Sequence, residues 1–336
     1  MAGVLVLGAG NFGTCLAQQL ARNEHLVYLW DRSPEVVEAI NSEHRNPKYQ
    51  SDFELLNNIK AFHLLEEVPM ADVKAVVICL PTQALRGVLT EKMPRSRLGD
   101  RPLICASKGL EISSGSFPLG IIEQVYGEQV SRRAVVLSGP SFAVEVMAQL
   151  PTAVSCASFS PDASKLSQEL FHSPHFRVYT AKDPVGLEIA GAMKNVIAIA
   201  AGASSGLGFQ ANTRAALISR GLAEMTRIGA SYNVDPLVFS GLGGVGDLML
   251  TCTSEKSRNY TVGFKMGSGL NFKQTMDSMD SIAEGVFTVK AAKALVDERN
   301  IDAPITNAVY RVLYEDVSVR EAVMSLLNRD PKAEYV

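Results

Sequence analysis

Lys194 sits within residues 189–200, where apolar side chains occupy nearly every helical face. Burial disfavours an ammonium and lowers its pKa, which makes a group able to exchange a proton near neutrality. The competing reading is a stem that snorkels out of a buried helix to water. A second lysine, Lys108, lies in Ala106-Ser107-Lys108-Gly109 at the end of a short apolar run, where open α/β sheets place their ligands. It is placed to meet an anion, although a lysine at a strand end is also an ordinary solvated residue. The densest polar cluster runs from Asp247 to Asn259. Within it, Ser257-Arg258-Asn259 stands at the expected start of a helix, where free N–H groups and the dipole favour a phosphate. Ser257 is equally explained as an N-cap, whereas the Arg258 guanidinium offers a phosphate fork that a cap does not need.

A nucleotide partner for this chemistry is suggested by Gly8-Ala9-Gly10-Asn11-Phe12-Gly13, a GxGxxG segment between an apolar run and a helical segment. In that setting Gly8 permits a tight turn, Gly10 lets the backbone approach a pyrophosphate and Gly13 allows close helix packing. Glycines serving only the sterics of a βα turn are the alternative. About 20 residues further on, Asp31 would favour a free ribose 2′-hydroxyl and Arg32 a 2′-phosphate, and the sequence leaves both open. A second match, Gly241-Leu242-Gly243-Gly244-Val245-Gly246, has no buried strand before it and reads as a sharp turn that presents Asp247. Ser138-Gly139-Pro140-Ser141-Phe142-Ala143 would let backbone approach a ligand, but Ala143 breaks the GxSxG nucleophile pattern. No metal site emerges: His172 and His175 flank Pro174 without an acidic or thiol partner.

These residues need a scaffold, and the periodicity supplies one. Short apolar runs at 3–7, 26–30, 75–80, 102–106 and 134–137 alternate with helical segments, with 154–157 and 176–180 as extensions. That pattern predicts a parallel sheet covered on both faces. After Asp183-Pro184 the texture becomes long and rich in Ala, Leu, Met and Gly, predicting helices over 185–201, 211–232, 261–266, 283–299, 305–315 and 319–327. The expected organisation is an α/β N-terminal domain over 1–183 and an all-α domain over 184–336.

At 336 residues the chain is long enough for two such cores. Its 47% hydrophobic content and mean hydropathy of +0.10 describe a folded chain rather than a disordered one. With 32 basic against 35 acidic side chains, no positive field is available to hold a nucleic acid. Five scattered cysteines, none in a CxxC spacing, suit a reducing compartment, and the start of the chain lacks the basic-then-apolar order of a signal peptide. Glu188, Lys194 and Asn195 interrupt the most apolar stretch, 185–203, so membrane insertion is not expected. A cytoplasmic protein follows, and a homodimer is compatible with all of this.

Nearly end to end, the chain resembles the soluble bacterial NAD(P)-dependent glycerol-3-phosphate dehydrogenases. The resemblance rests on residues 8–14, Arg45-Asn46-Pro47-Lys48-Tyr49, Ser107-Lys108-Gly109-Leu110-Glu111, Ser138 to Ala143 with Glu145, Lys194-Asn195-Val196, Gly206-Leu207-Gly208, residues 213–225, Gly246-Asp247-Leu248, Thr251-Cys252-Thr253, Ser257-Arg258-Asn259 and Glu284-Gly285. It implies a Rossmann domain followed by a helical domain of the 6-phosphogluconate-dehydrogenase-like type. It further implies NAD or NADP as cofactor, a triose or glycerol phosphate as substrate, and a product that feeds phospholipid synthesis. By motif, Lys194 matches the proton donor and acceptor, Lys108 the lysine touching cofactor and substrate, and Asp247 the residue orienting both. Gly139, Ser141, Thr251, Ser257, Arg258 and Asn259 match substrate positions. Gly8, Gly10, Asn11, Phe12, Gly13, Arg32, Lys108, Ala143, Arg258, Ile282 and Glu284 match cofactor positions. Phe12 stands where many members carry Trp, and Asp31 precedes Arg32 where an uncharged residue is common, which leaves NAD against NADP undecided. Two rival readings are a hydroxy-acid dehydrogenase of the same layout and a catalytically silent dinucleotide sensor.

Overall fold

The computed structural model describes residues 3–279, 283–331 and 333–334. Its first half is organised by strands that bury both faces. In β1 (Gly3–Leu7), Val4 and Val6 enter the apolar cluster on one face, while Leu5 and Leu7 enter the cluster on the other. This is how a short, wholly apolar run behaves when helices cover a sheet on both sides. The remaining strands are β2 (Leu26–Trp30), β3 (Ile59–Phe62), β4 (Val73–Ile78), β5 (Leu103–Cys105), β6 (Val135–Ser138), β7 (Thr152–Ala157) and β8 (Phe176–Ala181). They form one sheet in the order β3-β2-β1-β4-β5-β6-β7-β8. Val4 pairs with Val27 on one side and Ala75 on the other, so the chain reverses direction of travel across the sheet at β1 and β4. That switch point lies beside the first Gly-rich turn.

Two differences from the expected sheet have local causes. The sheet is not wholly parallel, because β6 and β7 run antiparallel. The connection between them holds only the five-residue helix Ala143–Met147, too short for a full crossover, whereas the longer helix Pro161–Phe171 restores parallel pairing between β7 and β8. The edge strand β3 also escapes a reading based on apolar runs, since Lys60 interrupts its four residues.

After β8, Asp183 accepts the Gly186 N–H at 2.9 Å and Pro184 occupies the first turn, which starts the 23-residue central helix Pro184–Gly206. It is the one helix among the described residues long and apolar enough to cross a membrane, and 89% of its apolar window is buried inside the protein. Helix Arg258–Gly267 packs on it backbone to backbone: a Cβ on Gly202 would lie 1.9 Å from the Tyr260 carbonyl oxygen, and one on Gly263 1.9 Å from that of Ile199. Helices Ala211–Ala230, Glu284–Glu298, Pro304–Tyr314 and Val319–Leu327 follow close to the expected bounds. The short helices Asp247–Thr253 and Phe272–Asp277 were not anticipated. Glu188 on the central helix accepts the Leu119 N–H at 2.8 Å and so ties the helical half to the helix Pro118–Tyr126 of the sheet half.

Candidate active site

Three segments far apart in sequence meet at one carboxylate. Lys194, near the middle of its helix, places Nζ 2.5 Å from Asp247 Oδ1 and 3.2 Å from Thr251 Oγ1. Lys108, from the loop after β5, places Nζ 2.8 Å from Asp247 Oδ2. Thr251 donates to the Asp247 carbonyl one turn back along the helix Asp247–Thr253. Asp247 is 2% and Lys194 8% exposed, so Lys194 does not snorkel to water. Burial lowers the Lys194 pKa to about 8, with the Lys108 charge adding to the decrease and Asp247 opposing it. Burial alone would push the Asp247 carboxyl up, but the two ammonium groups outweigh it and hold the group below its usual range. The result is an ionised carboxylate holding one lysine poised to give or take a proton near neutrality.

The second Gly-rich segment makes this possible. It follows the short 3-10 turn Pro236–Ser240, winds through Leu242–Gly246 and runs straight into Asp247, with Gly246 packed beside Pro140. The neighbouring Ser138 ends β6 and Gly139 follows it. A Cβ on Gly139 would fall 2.8 Å from Val154 Cα, and its φ is +152°, so β7 dictates glycine there. Ser141 Oγ donates to the Gly139 carbonyl at 3.0 Å, and the half-buried Ala143 opens the helix that follows.

Ser257, Arg258 and Asn259 open the helix Arg258–Gly267 as expected, and each does something different. Ser257 accepts the Tyr260 N–H and caps the helix. The exposed Arg258 stands close enough to Glu284 to pull its carboxyl down, against a burial effect that raises it to about 7. Asn259 bridges, donating to Asn195 Oδ1 at 2.9 Å and accepting the Gly285 N–H at 2.9 Å. Asn195, adjacent to Lys194 in the motif Lys194-Asn195-Val196, is thereby tied to the start of this helix. Lys256 pairs with Glu145 at 2.7 Å, joining this segment to the one that carries Ser141 and Ala143.

The first Gly-rich turn is built by steric necessity. Gly8 has φ +102° and Gly13 lies under it, where a Cβ would come 1.8 Å from the Gly8 carbonyl oxygen. Gly10 is different: a Cβ there would meet no protein atom within 4 Å, and no side chain caps the helix Asn11–Arg22 behind it. Open space therefore faces a bare helix N-terminus, which fits a dinucleotide pyrophosphate. Asp31 accepts the Ala9 and Ser33 N–H groups at 2.9 Å, one on each oxygen, so it braces this turn, while Arg32 is exposed. Buried Asn46 adds a second brace through the Ala9 carbonyl and Thr14 hydroxyl. Exposed Asn11 accepts from Gln50, and half-buried Phe12 packs against the core. Among the described residues no hydrogen bond joins Asn11, Phe12 or Arg32 to the lysine cluster. Ile282 lies outside the described residues.

Comparison with known proteins agrees with this geometry. Residues 3–164 match the family described as NAD-dependent glycerol-3-phosphate dehydrogenase N-terminus, and residues 183–324 match its C-terminus counterpart. A curated relative named glycerol-3-phosphate dehydrogenase [NAD(P)+] from Geobacter metallireducens is 46% identical over 333 residues, covering 98% of each chain. Its namesake from Staphylococcus aureus (strain bovine RF122 / ET3-1) is 41% identical over 335 residues, covering 99% of this chain and all of the other. The crystal structure of glycerol-3-phosphate dehydrogenase from Coxiella burnetii superimposes with a TM-score of 0.91 at 35% identity, over 98% of this chain and 99% of that one. The two rival readings receive no such support. With both halves matched, and full-length relatives well above the identity at which family membership is secure, this chain belongs to the NAD-dependent glycerol-3-phosphate dehydrogenase family.

Proposed function

We propose that Lys194 is the proton donor and acceptor in the family reaction, the reversible reduction of dihydroxyacetone phosphate to sn-glycerol 3-phosphate with NADH or NADPH. The observation that carries this is a lysine buried at 8% exposure, held on an ionised carboxylate and lowered to about 8. When bound, the nicotinamide cofactor supplies the hydride in reduction and takes it in oxidation. In reduction the Lys194 ammonium gives its proton to the oxygen on C2, and in oxidation the neutral amine takes it back. Lys108 adds positive charge where negative charge develops on that oxygen, and Asp247 fixes both lysines through one hydrogen bond each.

Gly139, Ser141, Thr251, Ser257, Arg258 and Asn259 form the substrate pocket in this reading. Arg258 at the helix N-terminus holds the phosphate, so that binding energy remote from C2 fixes the reacting carbon. Gly8, Gly10, Asn11, Phe12, Gly13, Arg32, Lys108, Ala143, Arg258, Ile282 and Glu284 hold the cofactor, with the division between a cofactor domain (1–183) and a helical catalytic domain (184–336) falling at Asp183. A cytoplasmic setting is supported by five cysteines that are all unpaired. The enzyme's product feeds phospholipid synthesis.

The test is Lys194→Met with rates followed across pH. Wild-type reduction falls as pH rises through about 8, where the ammonium is lost, and oxidation rises over the same range. The Met variant is expected to fold and to lose roughly a hundredfold to ten-thousandfold in turnover. Near-normal turnover in a folded variant removes Lys194 from the mechanism.

A further inference from the structure

The loop carrying Lys108 is gripped by one short helix outside the catalytic cluster. In the helix Thr82–Gly87, which follows β4, three side chains reach across to the loop after β5. Thr82 Oγ1 donates to the Lys108 carbonyl at 3.0 Å. Gln83 uses both ends of its amide, donating to the Leu110 carbonyl at 2.7 Å and accepting the Ile112 N–H at 3.0 Å. Arg86 forks onto Glu111, with Nε 3.0 and 3.1 Å from the two carboxylate oxygens and Nη2 2.7 Å from Oε2. Positions 82, 83 and 86 share one helical face, so a single rigid element sets four loop residues at once.

Glu111 is 4% exposed, while the Arg86 side chain is 34% exposed. Desolvating such a carboxylate offsets much of the attraction it gains, so the pair is a weak source of stability. What a planar fork supplies is direction. Glu111 follows Lys108 by three residues, across Gly109 with φ +128°, and a Cβ on Gly109 would come 2.8 Å from Thr288 Oγ1. The turn is thus closed on its other side as well. The Lys108 stem runs over Gly191 of the central helix, where a Cβ would lie 3.4 Å from its Cγ and Cδ. Held at its base and along its stem, the side chain delivers Nζ to Asp247.

We propose that Arg86 and Glu111 are positioning residues for the reaction, fixing the Lys108 loop so that its ammonium shares Asp247 with Lys194. This rests on the roles given above to Lys108 and Lys194. Its consequence is electrostatic. Lys194 faces Asp247 and the Cys252 thiol from the helix Asp247–Thr253, and the Lys108 ammonium from the loop. A displaced loop removes the positive neighbour and leaves the carboxylate to Lys194 alone, so Lys194 keeps its proton to higher pH.

The experiment measures rates in both directions across pH, with melting temperatures, for Glu111→Gln, Arg86→Gln, Arg86→Lys and Lys108→Met. Glu111→Gln and Arg86→Gln are expected to lose about tenfold in kcat/KM for dihydroxyacetone phosphate. Their oxidation profiles move to higher pH, towards that of Lys108→Met, and Arg86→Lys recovers part of both effects. A purely structural role would lower the melting temperature but leave the profile midpoint and the kcat/KM of the folded fraction unmoved, and that result overturns the proposal. Lys108→Met separates the two layers. If it too leaves rate and profile unchanged, the assignment of Lys108 itself fails; an effect there with none in the Glu111 and Arg86 variants fails the clamp alone. Should Glu111→Gln not fold, Arg86→Gln at the half-exposed end of the pair carries the same test.

Discussion

Two segments of this chain read Gly-x-Gly-x-x-Gly, residues 8–13 and 241–246, and their glycines serve different ends. The first follows β1 and leads into a long helix, and its middle glycine borders open space. The second follows a 3-10 turn, and its glycines border protein: a Cβ on Gly243 would lie 2.4 Å from Leu187 Cδ2, and one on Gly244 2.1 Å from the Phe239 carbonyl oxygen. One turn keeps a place for a ligand before neutral backbone donors. The other lets the backbone pack so tightly that a charged side chain, Asp247, lands buried between two ammonium groups. The pattern alone does not distinguish the two; the element in front of it does.

The comparison is broken most severely at the charged turn. Asp247→Asn leaves the buried Lys194 and the part-buried Lys108 without a counter-charge, and breaking a buried pair costs about 3 kcal/mol or more. Turnover is expected to fall by roughly a hundredfold to a thousandfold, with cofactor affinity, to which Asp247 contributes only through Lys108, changed far less if the two turns are independent. Stopped-flow binding of NADPH beside steady-state rates checks this, and an equal loss in both quantities denies the independence.

At the neutral turn, two substitutions of the same kind part company. Gly13→Ala drives a Cβ against the Gly8 carbonyl and should cost about 2–4 kcal/mol in chemical denaturation. Gly10→Ala meets no protein atom, so the denaturation midpoint stays put. Its methyl occupies the space in front of the helix N-terminus, and the cofactor Kd is expected to rise roughly tenfold or more. Unchanged affinity in Gly10→Ala would move the pyrophosphate away from this turn.

How much of this could be read from sequence follows the same division. The first turn is local: its glycines, the strand before it and the helix after it are contiguous, and the apolar residues around Lys194 single it out while leaving burial and snorkelling both open. The partnership of Lys194 with Asp247 spans 53 residues and that of Lys108 with Asp247 spans 139. No periodicity carries such distances, and only the resemblance to a family brought those three residues together in advance. The antiparallel β6–β7 pair was hidden because a small-residue loop reads alike whether the chain crosses over or turns back. Asp31 and Arg32 both suit the ribose by position in sequence; the hydrogen bonds of Asp31 to Ala9 and Ser33 appear only once the turn is folded. Arg86 gave no signal beyond ordinary charge and Glu111 entered only as the end of the motif Ser107 to Glu111, since 25 residues separate the pair.

The smallest effect tests the contrast between neutral donors and cations directly. Glu224 is fully buried like Asp247, yet it is held by the Ile305 and Thr306 N–H groups and the Thr306 hydroxyl at the start of the helix Pro304–Tyr314. It is an anion site at a helix N-terminus, as the cofactor turn is, but occupied by the protein's own carboxyl. Those donors lower the pKa, and burial outweighs them, leaving it at about 7 against an ordinary 4.5. Asp247, with two ammonium groups, goes the other way. Because the folded chain binds the Glu224 proton more tightly than the unfolded chain does, stability contributed by this group is present below about pH 4.5 and declines as pH rises towards 7. Glu188, raised to about 8, and Glu284, raised to about 7, add slopes of the same sign, so the informative quantity is a difference between variants. Glu224→Gln removes one of these slopes, and the unfolding free energy of wild type minus variant should fall by on the order of 1 kcal/mol between pH 5 and 8. A difference that stays flat with pH would mean that neutral donors at a helix N-terminus offset the burial of this carboxyl in full.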